Sequence, residues 1–370
     1  MLTNGGHQRY QKQMLLKELG EEGQRLLSEA SVLVIGAGGL GCPALQYLAA
    51  AGIGRIGIVD FDLVEISNLH RQILYTAEDL GMLKSEVAAK RVKALNPEAR
   101  VEIFHEKIDA QNALSIISNF DLVVDGSDNF PTRYLVNDAC VLLDKPLVYG
   151  AVFRFEGQLS VFNVSANGIK TNYRDLFPDP PKPSEVADCN DAGVLGVLPG
   201  IIGTMQANEA IKIITGAGKP LSNRLFCFNS LDNSVFELDI LPLKEANNLI
   251  PNSAEAFRKM DYEWFCLVAS QEYTDIDCPK FDELRQTINP QIIDVRNLNE
   301  YPKVTEFEHL RLPLSELEQK LDKIDPKRPV IVFCQTGVRS ITAAHLITER
   351  LSARSVYNLK GGIIKWKSNP

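Results

Sequence analysis

Short apolar runs closed by a glycine or an acid alternate along the chain with stretches whose apolar positions recur at helical spacing. Ser31-Val-Leu-Val-Ile35 is the clearest run. It is continuous and rich in β-branched residues, which predicts a strand buried on both faces. Gly36-Ala-Gly-Gly-Leu-Gly41 follows, then a helical stretch to Ala51 and a second run, Ile56-Gly-Ile-Val-Asp60. Together they predict a βαβ unit with its glycines at the first turn. A helix over 84–95, a strand over 101–104, a helix over 110–117 and a strand over 122–125 continue the alternation, as expected of an open, largely parallel sheet.

Residues 175–184 (Asp-Leu-Phe-Pro-Asp-Pro-Pro-Lys-Pro-Ser) break the rhythm. The prolines exclude a regular element and predict a crossing loop. A helix-rich segment over 193–218 and two alternating strands over 225–241 come next. Residues 246–279, rich in acids and amides, read as a linker with one short helix. A second α/β alternation then begins, with strands over 291–295, 329–333 and 355–359 and a helix over 340–351. The expected fold is therefore α/β: a Rossmann-like, doubly wound, mostly parallel sheet over residues 1–245, a linker, and a second, smaller α/β domain over 280–370.

Charge sharpens this division. The net charge is −8 over 370 residues, yet residues 280–370 carry 15 Lys/Arg against 11 Asp/Glu. The acidic bulk argues against nucleic acid as a partner, and the basic last third would suit a small anion. Seven cysteines without framework spacing argue against a disulfide-built secreted protein. The apolar stretches are too short or too interrupted to span a membrane. Cytoplasm is the expected compartment.

Gly36-x-Gly38-x-x-Gly41, after a strand and before a helix, is a phosphate cradle: the glycines permit a tight turn, and the helix N-terminus presents free N–H groups to an anion. Asp60, closing the next strand, can accept hydrogen bonds from a ribose. This much is common to NAD, FAD and ATP sites. The following residues favour nucleotidyl transfer: Asp60-Phe-Asp62, Ser67-Asn68-Leu69-His70-Arg71-Gln72, Gly81-x-x-Lys84 and Asp125-Gly-Ser-Asp128-Asn129. When a carboxylate attacks an α-phosphate and pyrophosphate leaves, cations must neutralise the leaving group and an acid must hold magnesium. A hydride-transfer site has little use for that set.

These motifs, with Cys189-Asn-Asp-Ala-Gly-Val-Leu-Gly-Val-Leu-Pro-Gly200, resemble the MoeB/ThiF/HesA-type, ubiquitin-activating-like adenylyltransferases over residues 9–241. The resemblance implies an ATP site lined by Gly36, Gly38, Gly39, Asp60, Ser67, Asn68, Leu69, His70, Arg71, Lys84, Asp128 and Asn129, with Asp128 holding Mg²⁺ through ATP. It implies a homodimer in which an arginine near the N-terminus completes the partner's site. Here Lys12 takes that place, keeping the charge without the bidentate fork. It also gives Cys189 the position of a conjugating cysteine. Family members with structural zinc carry two Cys-x-x-Cys pairs. Asn172-Tyr-Arg-Asp175 stands at the first, and no pair follows Leu241, so zinc is not expected.

Near the C-terminus, Cys334-Gln-Thr-Gly337-Val-Arg339-Ser340 joins an apolar run to a helix. Loop N–H groups, the helix N-terminus and Arg339 are all expected to lower the pKa of the Cys334 thiol. With Asp294-Val-Arg296 and Gly361-Gly362 flanking it, this segment resembles the active-site loop of rhodanese sulfurtransferases; the usual His-Ile-x-Gly segment is not recognisable. The two resemblances together imply an enzyme that adenylates the C-terminal glycine of a ubiquitin-like sulfur-carrier protein ending in Gly-Gly. Sulfur from a persulfide or thiosulfate donor, held on Cys334, would then yield a thiocarboxylate. Molybdopterin synthesis is the favoured pathway, with thiazole synthesis or tRNA thiolation as alternatives. A nicotinamide-dependent oxidoreductase and a non-catalytic carrier-binding scaffold are the readings of other classes.

Overall fold

The fold is that of a computed structural model, and residues 4–180, 193–262, 273–297, 299–351 and 355–368 are described. The chain forms two compact units, each with its own sheet.

The first unit opens with helices α1 (Asn4–Met14) and α2 (Gly20–Glu29). Strand β1 (Ser31–Ile35), helix α3 (Gly41–Ala51) and β2 (Arg55–Val59) make the βαβ unit; α4 (Lys84–Leu95), β3 (Arg100–Phe104), α5 (Ala113–Ile117), β4 (Leu122–Asp125) and α6 (Phe130–Leu142) continue it. Strands β5 (Leu147–Phe153), β6 (Glu156–Phe162), β7 (Arg224–Asn229) and β8 (Ser234–Asp239) complete the sheet, whose order is β3-β2-β1-β4-β5-β6-β7-β8. The first five strands are parallel and the last three run antiparallel to their neighbours. Alternate β1 residues enter different cores: Val32 and Val34 join Ala44 and Leu48 of α3, whereas Leu33 and Ile35 join Ile117 and Val136 beneath α5 and α6. Helices on both faces explain why the parallel strands read as unbroken apolar runs.

In the second unit, β9 (Thr274–Ile276), β10 (Gln291–Asp294), β11 (Leu310–Arg311), β12 (Val330–Phe333) and β13 (Val356–Leu359) form a parallel sheet of order β11-β10-β12-β13-β9. Ala343, Ala344 and Ile347 of the helix Val338–Leu351 cover one face. Phe281 and Leu284 of the helix Cys278–Thr287, together with Ile363, cover the other.

The stretch read as a linker contributes to both units. Ala246, Phe257 and Tyr262 are buried in the first, whereas Thr274–Ile276 pairs with β13 in the second. Among the described residues no helix is long and apolar enough to cross a membrane.

Candidate active sites

Register places the first site. Ile35 pairs with Val59 on one side and Asp125 on the other, so the segments beginning at Gly36, Asp60 and Gly126 leave the sheet together at the carboxyl ends of adjacent strands. The connections after β1 and β4 diverge there, which is where open α/β sheets bind ligands. Gly36 has φ +86°, and a Cβ on Gly41 would stand 1.8 Å from the Gly36 carbonyl oxygen. Only glycine permits that turn. Beside it, a Cβ on Gly38 would meet nothing closer than Gln72 Nε2 at 3.7 Å, leaving the outer side of the cradle open.

Asp60 is buried at the foot of the turn. Its Oδ2 accepts from the Ala37 amide at 2.7 Å and its Oδ1 from the Asp62 amide at 2.9 Å. Burial raises its pKa, against the pull of these bonds. The carboxylate therefore braces the cradle itself, in addition to any bond it offers a ribose. Lys84 opens α4 and is only 6% exposed; its Nζ lies 2.8 Å from Asp62 Oδ2. Tyr75 hydroxyl lies 2.7 Å from the Ala37 carbonyl and 3.2 Å from that of Lys84, joining the glycine turn to the start of α4.

Arg71 is half-buried against Gly39, with its Nη1 2.9 Å from the Ser67 carbonyl oxygen. Asn68 is buried and accepts from the Glu65 amide, which shapes the turn; Ser67 and His70 are exposed, and Leu69 packs on the core. Beyond β4, Asn129 caps α6 through Thr132 N, and Asp128 is exposed beside it. Gln72 and Ser127 lie within the motifs read from the sequence but were not among the residues assigned to the site. Gln72 Oε1 and Ser127 Oγ are buried without a hydrogen-bond partner, and both residues border the glycine turn. Buried polar atoms left unpaired at an open cradle are what a polar ligand would satisfy. Ser127 hydroxyl can donate to a phosphate oxygen and Gln72 Oε1 can accept from a ligand hydroxyl or N–H, so the pair suits a nucleotide with both kinds of group.

Lys12 is not brought to this cradle by its own chain. It is exposed on α1, which is tied to the far end of α4: Arg9 Nη1 donates to Leu95 O and Asn96 Nδ2 to Tyr10 hydroxyl. Lys84 lies at the other end of α4, about 16 Å along its axis. Cys189 lies outside the described residues.

The residues at the zinc-pair position form a hydrogen-bonded cluster. Asn172 Nδ2 donates to Asp175 Oδ2 at 2.8 Å and reaches Asn247 Oδ1 at 3.4 Å, while the Leu243 amide donates to Asp175 Oδ1 at 2.8 Å. Beside them the fully buried Arg174–Asp138 pair closes at 2.7 Å, with Tyr262 hydroxyl on the same carboxylate. Carboxamides and one committed carboxylate do not suit zinc, and among the described residues no group of three or more His, Cys, Asp or Glu could hold a metal ion. The polar cluster joins residues 172–175 to 243–247 by hydrogen bonds. Purified protein is therefore expected to contain far less than one zinc per chain, with a melting temperature unmoved by chelator. Stoichiometric zinc by elemental analysis would overturn this.

The second site is the loop after β12. Cys334 is fully buried; the Gly337 amide donates to its Sγ at 3.1 Å and Ser340 hydroxyl at 3.4 Å. Gly337 has φ +92°, and a Cβ on Gly362 would stand 2.6 Å from the Gly337 nitrogen, so the Gly361-Gly362 pair lets the two loops stack. Burial pushes the Cys334 thiol up. Hydrogen bonds from Ser340 hydroxyl and the backbone amides of Ser340, Thr336 and Gly337 outweigh it and bring the pKa below the ordinary value. Arg339, expected to act on the thiol, feels the Cys334 charge but is itself paired with both oxygens of Glu300 at 2.6 Å. Burial raises the pKa of Cys42 to about 12 and also raises those of Cys140, Cys227 and Cys278. Among the described cysteines only Cys334 has its pKa lowered.

Known proteins match along both units. The ThiF family matches residues 10–250 and the rhodanese-like domain residues 278–369. The "Sulfur carrier protein adenylyltransferase" of Thermus thermophilus is 52% identical over 70% of this chain and 96% of its own length. "Adenylyltransferase and sulfurtransferase MOCS3" of Xenopus laevis is 38% identical over 100% of this chain and 88% of its own. Among solved structures, E. coli MccB with ATP superposes with a TM-score of 0.56 at 22% identity, covering 64% of this chain and 72% of that one, which supports the fold alone. With its cradle at the carboxyl edge of a doubly wound sheet and its cysteine loop in a second α/β unit, the chain belongs to the ThiF family and carries a rhodanese-like domain, in keeping with full-length relatives named adenylyltransferase and sulfurtransferase.

Proposed function

We propose that this chain adenylates the C-terminal glycine of a ubiquitin-like sulfur carrier ending in Gly-Gly and supplies the sulfur that turns it into a thiocarboxylate. The observation that carries this reading is the meeting of glycine turn, Arg71, Lys84 and the Gly126–Asn129 segment at one sheet edge, in a chain that also holds a thiol of lowered pKa. The turn and the start of α3 hold the phosphates. Arg71 and Lys84 face the charge that builds as the carrier carboxylate attacks the α-phosphate and pyrophosphate leaves. Asp128 is the residue to hold Mg²⁺, which would shield the phosphates from the incoming carboxylate.

Cys334 takes sulfur from a donor as a persulfide, whose outer sulfur displaces AMP from the acyl-adenylate to leave an acyl disulfide. Attack of a second thiolate at the Cys334 sulfur then releases the thiocarboxylate and leaves a disulfide that a thiol reductant reopens. Cys189 serves as the second sulfur-carrying residue between the two chemistries. Lys12, exposed on α1 and away from its own Lys84, completes the ATP site of a second copy in a homodimer. The carrier assigned is the molybdopterin type, on the strength of the sequence over 184–203.

The test is ATP–pyrophosphate exchange with purified carriers ending in Gly-Gly. Exchange is expected only with a carrier present, and removal of its last glycine should abolish it. Nicotinamide binding without exchange would favour an oxidoreductase. Carrier binding without exchange would favour a scaffold.

A further inference from the structure

Each of the two guanidiniums at the Cys334 loop is paired with a carboxylate. Arg339 spends its guanidinium on Glu300 through two 2.6 Å bonds, with side chains 35% and 25% exposed. Arg296, the other guanidinium at the loop, is fully buried on Asp294; its Nη1 goes to Pro302 O and to Gln335 Oε1. Lys365 lies along Gly361 but is exposed, where a charge is worth little. The Arg339 pair holds Glu300 at a pKa of about 2, so the carboxylate stays ionised at any working pH.

Two donor classes meet this loop differently. With thiosulfate, the Cys334 thiolate attacks the outer sulfur, a Cys–S–S⁻ bond forms, the donor S–S bond breaks and sulfite leaves with its electron pair. The dianion and its sulfonate need an uncommitted cation. With a persulfide on a cysteine thiol, the same attack releases a thiolate, and no sulfonate has to be housed.

We propose, resting on the reading of Cys334 as the sulfur-carrying residue, that Glu300 determines donor specificity: by occupying Arg339 it disfavours dianionic inorganic donors and leaves the loop to thiol-borne persulfides. Rejection through an unfavourable charge is a common route to selectivity. Glu300 is a positioning residue here, since it acts through Arg339.

The full chain is loaded with thiosulfate or with cysteine persulfide, and added sulfur on Cys334 is followed by mass spectrometry. Freeing Arg339 by Glu300→Gln should raise the thiosulfate-to-persulfide ratio of kcat/KM about tenfold, mainly through a lower KM for thiosulfate, as expected for one neutralised charge near a protein surface. Glu300→Asp, which keeps the charge, should hold the wild-type ratio. Glu300→Gln combined with Arg339→Gln should lose the gain, which marks it as Arg339's. An unchanged or lower ratio in Glu300→Gln overturns the proposal. If neither donor loads Cys334 in the wild type, the sulfurtransferase reading itself fails, and the proposal with it.

Discussion

Lys84→Ala is expected to lower carrier-dependent ATP–pyrophosphate exchange by roughly 10²–10³, the usual cost of removing one preorganised charge from a transition state. The size follows from its setting. Lys84 is 6% exposed at the start of α4, and its ammonium bridges toward the glycine turn through Asp62. A surface lysine would be replaced in part by solvent; this one is nearly enclosed by protein. The Asp62 side chain is 52% exposed and can rehydrate, so the variant should fold, and an unshifted melting curve would separate lost catalysis from lost structure. Sulfur loading of Cys334 should persist. Exchange within tenfold of wild type would remove Lys84 from the phosphate site.

Cys334→Ala should have the reverse effect, and a complete one. Alanine offers no atom to hold sulfur, so neither loading nor turnover to cyanide survives, whereas exchange should stay within about twofold because Cys334 and Lys84 share no partner. The substitution also leaves the Gly337 amide and Ser340 hydroxyl without their acceptor, at a cost of about 1–3 kcal/mol in the second unit. Cys334→Ser keeps an acceptor there and should recover stability without recovering sulfur transfer. Undiminished transfer in either variant would move the sulfur to another residue.

The parallel strands were legible because burial on both faces leaves no polar interruption. Ser31–Ile35 and Leu122–Asp125 are found where the apolar runs place them, and α4 spans the expected residues. The β5–β6 hairpin was not legible. Gly150 and Gly157 interrupt its pattern, yet each is there for packing: a Cβ on Gly150 would stand 2.5 Å from Gln206 and one on Gly157 2.5 Å from Ile202, both on the helix Val197–Thr215. Its turn carries Arg154 at φ +54°, without the Asn-Gly signal that marks a hairpin. β9, three residues long, is too short to show alternation.

Chemistry divides in the same way. The glycine turn, Asp60 and Lys84 announce themselves because each lies on a short local motif. Glu300 stands 39 residues from Arg339, so the pair that neutralises the loop exists only in the fold. Gln72 and Ser127 are likewise ordinary polar residues until their unpaired atoms are found beside the cradle.

The polar cluster at Asn172, Asp175 and Asn247 bears on how sulfur is kept. Sulfane sulfur migrates by attack of ionised thiols, so structural thiolates in a persulfide-bearing protein are leaks. The cluster has none, and burial keeps Cys42, Cys140, Cys227 and Cys278 protonated. Among the described cysteines, a sulfur atom leaving Cys334 finds no second nucleophile within the scaffold. The described scaffold insulates its cargo, so sulfur leaving Cys334 should pass to an acceptor other than these four thiols, Cys189 in the proposed sequence.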